Sequence, residues 1–129
     1  MGRIVLIEPD QIFGRLFVAL LTHAGHDAKL LGSAEEFYSL GPDPDRELVI
    51  MSEDDDWKGV RSQLPTLAPG AALLLTTGFV VGGSKPPGFL SQDYPGCRVL
   101  PKPFGYEELC VAVERSLRDR IIASPSDSN

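Results

Sequence analysis

The sequence predicts an open parallel α/β sheet with helices on both faces. Three observations carry that prediction. Short apolar runs rich in Val, Ile and Leu recur at residues 4–7, 48–51 and 71–75, as strands buried on both sides do. Between them, apolar residues return at three- and four-residue spacings, the period of an amphipathic helix. The two patterns alternate along the chain to give five strands and about five helical or semi-helical connections, the order that a parallel sheet with crossover helices requires.

The first strand, 4–7, begins almost at the start of the chain. Asp10 can cap a helix carrying Ile12, Phe13, Leu16, Phe17, Leu20 and Leu21, and Gly25 is placed to stop it. A weaker second strand is predicted over 28–31. The stretch SAEE, from Ser33 to Glu36, has capping-box form and opens a short helix with Phe37, Tyr38 and Leu40. The third strand, 48–51, runs directly into Ser52 and four consecutive acids. Residues 57–64 leave room for about two helical turns before Pro65.

The fourth strand, 71–75, ends on Thr76 and Thr77. The GGSKPPG segment that follows has two glycines and two prolines in seven residues, which argues against a regular helix. A brief fifth strand at 98–100 precedes a last helix over 106–120. Leu109, Ala112, Val113 and Leu117 share one of its faces, and Glu107 and Glu108 suit its N-terminal dipole. Residues 1–122 are therefore expected to form one domain, and 123–129 a disordered tail.

Composition narrows the function. The chain has 129 residues, enough for one domain, and is 43% hydrophobic and 23% charged, as soluble globular proteins are. Twelve Lys and Arg against eighteen Asp and Glu leave a net charge of −6 with no basic cluster, which argues against nucleic acid as a partner. No apolar run approaches the ~20 residues that cross a bilayer, and the N-terminus lacks the layout of a signal peptide. Neither membrane nor export is expected. Cys97 and Cys110 are too few for a disulfide scaffold and fit small hydrophobes in the cytoplasm.

In open parallel sheets, ligand sites lie beyond the carboxyl ends of the strands. Glu8, Pro9 and Asp10 follow the first strand; Ser52 and Glu53 follow the third; Thr76 follows the fourth; Lys102, in LPKPF, follows the fifth. Four distant segments thus deliver polar groups to one edge. The acidic run 53–56 admits three readings: a weak metal site, a displaced phosphoacceptor, or a solvated loop capping the helix near Trp57. The last is the simplest, because Asp is favoured at helix starts. His23 and His26 flank Gly25 at a helix end, where His23 can meet terminal carbonyls.

These strand ends resemble the receiver domain of bacterial response regulators, the CheY-like superfamily, over roughly residues 3–120. IVLIEPD stands where that family has a strand and paired acids, and ELVIMS where a strand ends in the phosphorylated Asp. LLLTTG holds the place of its Thr or Ser, and VLPKPF carries its Lys-Pro pair; the spacing is most similar to receivers of hybrid sensor kinases. The resemblance implies a three-layer, flavodoxin-like (βα)5 fold with sheet order 2-1-3-4-5. It implies a role in two-component phosphorelay signalling, with a histidine kinase or another signalling protein as partner.

The same resemblance exposes departures. Glu8 conservatively matches the first metal-binding acid, whereas Pro9 matches the second and offers no ligand. Ser52 matches the phosphoacceptor Asp and has no carboxylate. Thr76 and Lys102 match the family's hydroxyl and its ammonium, and Val99 replaces the aromatic switch residue. A Ser hydroxyl is a weak nucleophile without a positioned base, and strand alternation sends Glu53 to the other face. Magnesium favours carboxylates in near-octahedral geometry, and only Glu8, Asp10 and Asp54 remain as weak candidates. Lys102, without its usual carboxylate, is free to pair with Glu8.

The expectation is a degenerate receiver: no catalysis of its own, no cofactor, and signalling by protein–protein contact without Asp phosphorylation. By the family's pattern the partner surface comprises residues 80–88, the fifth strand and the last helix, with Val99, Leu100, Tyr106 and Leu109 prominent. One alternative is an active receiver that uses a displaced acid among residues 53–56. Another is a flavodoxin-like binder of a small ligand, for which fold analogy is the only warrant.

Overall fold

The computed structural model describes residues 2–77, 97–102 and 104–127, with side chains up to residue 118. The elements in chain order are β1 (Arg3–Ile7), α1 (Gln11–His23), β2 (Asp27–Leu31), α2 (Ala34–Leu40), β3 (Leu48–Ser52), α3 (Trp57–Leu67), β4 (Ala72–Thr77), β5 (Cys97–Pro101) and α4 (Tyr106–Asp127). The five strands form one sheet in the order β2-β1-β3-β4-β5, with every neighbouring pair parallel. This is the three-layer order that the resemblance implied. The GGSKPPG segment and the expected partner segment 80–88 lie outside the described residues.

Side-chain alternation splits the core in two. Val5, Ile7, Val49, Met51, Leu73 and Leu75 face one way and pack with Phe37 of α2 and with Trp57, Val60 and Leu64 of α3. Ile4, Leu6, Leu48, Ile50, Leu74 and Leu100 face the other way, against Phe17 and Leu21 of α1 and Leu109 and Val113 of α4. Strands buried on both faces explain the unbroken apolar runs.

The caps follow the sequence. Asp10 accepts from the N–H groups of Ile12 and Phe13 at 3.0 and 3.1 Å, and Ser33 accepts from Glu36 N–H at 3.3 Å. At the far end of α1, Gly25 adopts φ +95°. Its N–H donates to Thr22 and that of His26 donates to Leu21. This Schellman pair needs a residue that tolerates the left-handed region.

Three expectations change. Pro65 does not end α3, which continues to Leu67. A proline near a helix C-terminus forfeits one interior bond, while buried Leu64 and Leu67 hold the last turn against the sheet. The helix in α1 does not bury its whole apolar set: Ile12 and Leu16 stand 86% and 57% exposed. The α4 backbone remains helical past residue 120, through to Asp127.

Candidate functional site at the carboxyl edge of the sheet

The register brings the expected residues into one row. Ile7 pairs with Met51, so Glu8 and Ser52 follow at the same level. Ser52 pairs with Thr76, and Thr76 with Leu100. Glu8, Ser52, Thr76 and Lys102 share the parity of Leu6, Ile50, Leu74 and Leu100, which places them on the α1/α4 side. Lys102 N–H donates to Thr77 C=O at 3.3 Å, carrying the β4–β5 alignment one residue beyond the strand.

Each polar group in this row has a local partner. Glu8 is buried, and its Oε2 accepts from Asp10 N–H at 3.0 Å. Asp10 in turn is the α1 cap. Ser52 Oγ accepts from Asp54 N–H at 3.1 Å, and its carbonyl accepts from Asp55 N–H at 3.1 Å. This is a side-chain turn of the kind that serines favour at strand ends. Thr76 is buried, and its hydroxyl donates to Met51 C=O at 3.5 Å.

Lys102 does not reach Glu8. Among the described residues it has no ion pair; its ammonium lies 4.9 Å from the centroid of the Phe13 ring. Phe13, Phe17 and Phe104 meet edge to face, with centroids 5.5 to 6.4 Å apart. A desolvated cation is drawn to such a ring face when no carboxylate competes.

The acidic run divides by position. Asp56 caps α3: Oδ1 accepts from Gly59 N–H at 3.1 Å and Oδ2 accepts from the Tyr38 hydroxyl at 3.2 Å. Asp55 Oδ1 accepts from Asp56 N–H at 2.8 Å, while its Oδ2 is buried without a hydrogen-bond partner. Burial, then the hydrogen bond to Asp56, then the charges of Asp56 and Asp55 push the Tyr38 phenol above its ordinary value. The capping reading of the run therefore holds for Asp56. Asp54 is exposed and meets the row through its backbone N–H, which donates to Ser52 Oγ.

These donors do not fit a divalent cation. Among the described residues, no three His, Cys, Asp or Glu side chains are grouped to hold a metal. Glu8 Oε2 accepts from one backbone N–H and Asp10 Oδ1 from two, and Pro9 contributes no donor. Magnesium demands several hard oxygens in near-octahedral array, which Glu8, Asp10 and Asp54 do not assemble.

No family model and no curated protein matches the sequence. Solved structures do match. A response regulator receiver protein from Sinorhizobium medicae WSM419 is 21% identical, with a TM-score of 0.71 over 92% of this chain and 96% of that one. A receiver domain protein from Clostridium thermocellum is 17% identical, with a TM-score of 0.72 over 95% and 99%. An adenylate cyclase from Rhodopirellula baltica is 13% identical, with a TM-score of 0.78 over 99% and 96%.

The chain has the receiver fold. On that fold, Ser52 closes β3 at the carboxyl edge, and Val99 lies in β5, half-buried.

The expected partner surface needs correction. Leu100 and Leu109 are 5% and 1% exposed and belong to the core, because β5 alternation and the phase of α4 turn both inward. Val99 is half-buried, and only Tyr106, at 38%, is exposed. Sequence reasoning placed His26 only beside Gly25 and missed its burial, and it missed Arg46 altogether. His26 accepts from Gly2 N–H at Nδ1, 3.0 Å away, and its Nε2 lies 3.5 Å from Glu114. Arg46 Nη1 donates to the carbonyls of Gly41 and Leu67 at 2.7 and 2.9 Å.

Proposed function

We propose that the chain is a receiver-like signalling module that acts by binding a protein partner, without phosphoryl transfer at its strand edge. The observation that carries this reading is the local commitment of every polar group in the row. Glu8 and Ser52 accept from backbone N–H groups, Thr76 donates to a backbone carbonyl, and Lys102 rests on an aromatic ring. Forming an acyl phosphate needs a carboxylate nucleophile, and a magnesium clamp to neutralise the developing charge. Ser52 and Pro9 supply neither.

A protein partner is favoured by α1. Ile12 and Leu16, one turn apart, present apolar side chains to solvent beside the polar Gln11 and Arg15, and helix faces of this kind serve as contact surfaces. The free thiols of Cys97 and Cys110 suit a reducing compartment. Among the described residues, no helix is long and apolar enough to cross a membrane.

The test is an amide NMR titration with beryllofluoride and magnesium. The expected spectrum is unchanged around Glu8, Ser52 and Thr76. Saturable shifts centred on those residues would refute the reading, and their loss in Asp54→Ala would place the acceptor in the acidic run.

A further inference from the structure

At the opposite, amino end of the sheet lies a cavity of ≈ 290 Å³, lined by Arg3, Lys29, Leu40, Asp43 and Arg46 among others. It exists because α2 is short. Seven residues span only about 10 Å at 1.5 Å per residue, so the start of the β1–β2 pair stays uncovered on that face. The floor is the first register pair, Arg3 with Asp27, followed by Val5 with Lys29. The wall is the segment that joins α2 to β3.

Arg46 is built into this wall as a fixed receptor. It is 8% exposed. Its Nη1 is pinned by the two carbonyls of Gly41 and Leu67, and its guanidinium carbon sits 5.5 Å from the Phe37 ring centroid. Its Nε and Nη2 have no hydrogen-bond partner among the described residues, and neither is sealed from solvent. That edge of a guanidinium donates two parallel N–H groups, the geometry that matches two oxygens of a carboxylate or phosphate. Lys29, exposed on the floor, has no ion pair among the described residues. Arg3 is engaged by Asp27 and Asp45 at 3.8 and 3.4 Å.

We propose that this cleft binds a small molecule through a single oxyanion group, a carboxylate or a phosphate, held by the free edge of Arg46 and by Lys29. Three cations against two acids line the cavity in a chain whose net charge is −6, so the local sign is inverted. Asp27 and Asp43 repel a second anionic group and exclude polyanions. The volume, ≈ 290 Å³, lies just below the ~300–1,000 Å³ of ligand pockets and sets a small size.

The test titrates the isotope-labelled full chain with inorganic phosphate, and separately with acetate, at constant ionic strength. The expected result is saturable shifts at the Lys29 amide and the Arg46 Nε–H for at least one ion, which also separates phosphate from carboxylate. Lys29→Gln, an exposed change that leaves the Arg46 anchors in place, weakens that binding roughly tenfold. Arg115→Gln, on the exposed side of α4, leaves it unchanged. Linear drift without saturation, or equal loss in both variants, overturns the proposal. Shifts confined to Ser52 and Thr76 overturn it too, and would count against the inert strand edge as well.

Discussion

Lys102 holds its ammonium over the ring of Phe13 at 4.9 Å, joining the end of β5 to the first turn of α1. With no ion pair to Lys102 among the described residues, the cation becomes part of the packing. Lys102→Met keeps the stem and removes the charge. It is expected to cost about 0.5–1 kcal/mol, the worth of an exposed to half-buried cation–π contact. Urea unfolding measures this, and Phe13→Leu should make the Lys102 change nearly silent in a double-mutant cycle.

His26 ties the start of β1 to α4. With Gly2 N–H donating to Nδ1 and Nε2 facing Glu114, His26→Ala leaves a buried N–H without an acceptor. The expected loss is about 1–3 kcal/mol, read from urea or thermal unfolding. A purely exposed histidine would give almost none.

Gly59 sits where Ala should be better in a helix by about 1 kcal/mol. A Cβ there would collide with the Asp56 carboxylate and come 2.7 Å from the Tyr38 hydroxyl, displacing a cap worth about 1 kcal/mol. Gly59→Ala is therefore expected to bring no stabilisation or a net loss in urea unfolding. A gain approaching the full propensity difference would mean the cap does not matter.

Tyr38 sets an alkaline limit. Its folded value is raised above 10.0, first by burial and then by Asp56, so the folded state keeps a proton that the unfolded chain releases. The linked stability is full below the unfolded value and is lost as pH rises through the folded one. Phenolate absorbance should show Tyr38 titrating above its ordinary range, and Asp56→Asn should bring it down. Unfolding midpoints should fall above about pH 10, less steeply in Tyr38→Phe.

The sheet was legible because strands buried on both faces leave unbroken apolar runs, and because Asp10, Ser33 and Gly25 mark helix ends by local chemistry alone. The row Glu8–Ser52–Thr76–Lys102 was legible from position after each strand. What each group bonds to was not. Lys102 turned to Phe13 and not to Glu8 because residues nearly ninety positions apart pack together only in three dimensions. Leu100 and Leu109 were misread as surface because family pattern gives segments, whereas the phase of strand and helix decides which side chains face out. The burial of Arg46 and of His26 carried no signal, since a single buried cation or imidazole has no spacing to betray it.

Placing acids at positions 9 and 52 is the constructive check of the proposed reading. Ser52→Asp alone should not recover magnesium binding, because Pro9 still offers no ligand. Pro9→Asp combined with Ser52→Asp sets two carboxylates beside Glu8, and saturable magnesium binding by amide NMR is expected in the double variant only. Binding by the single variant would mean that Asp10 or Asp54 can join the site.

The most direct measurement is the intact mass of the chain after incubation with acetyl phosphate and magnesium, before and after hydroxylamine. The unmodified mass is expected in both samples. Addition of one phosphoryl group that hydroxylamine removes would contradict the inert strand edge, because it would show an acyl phosphate formed on a carboxylate of this chain.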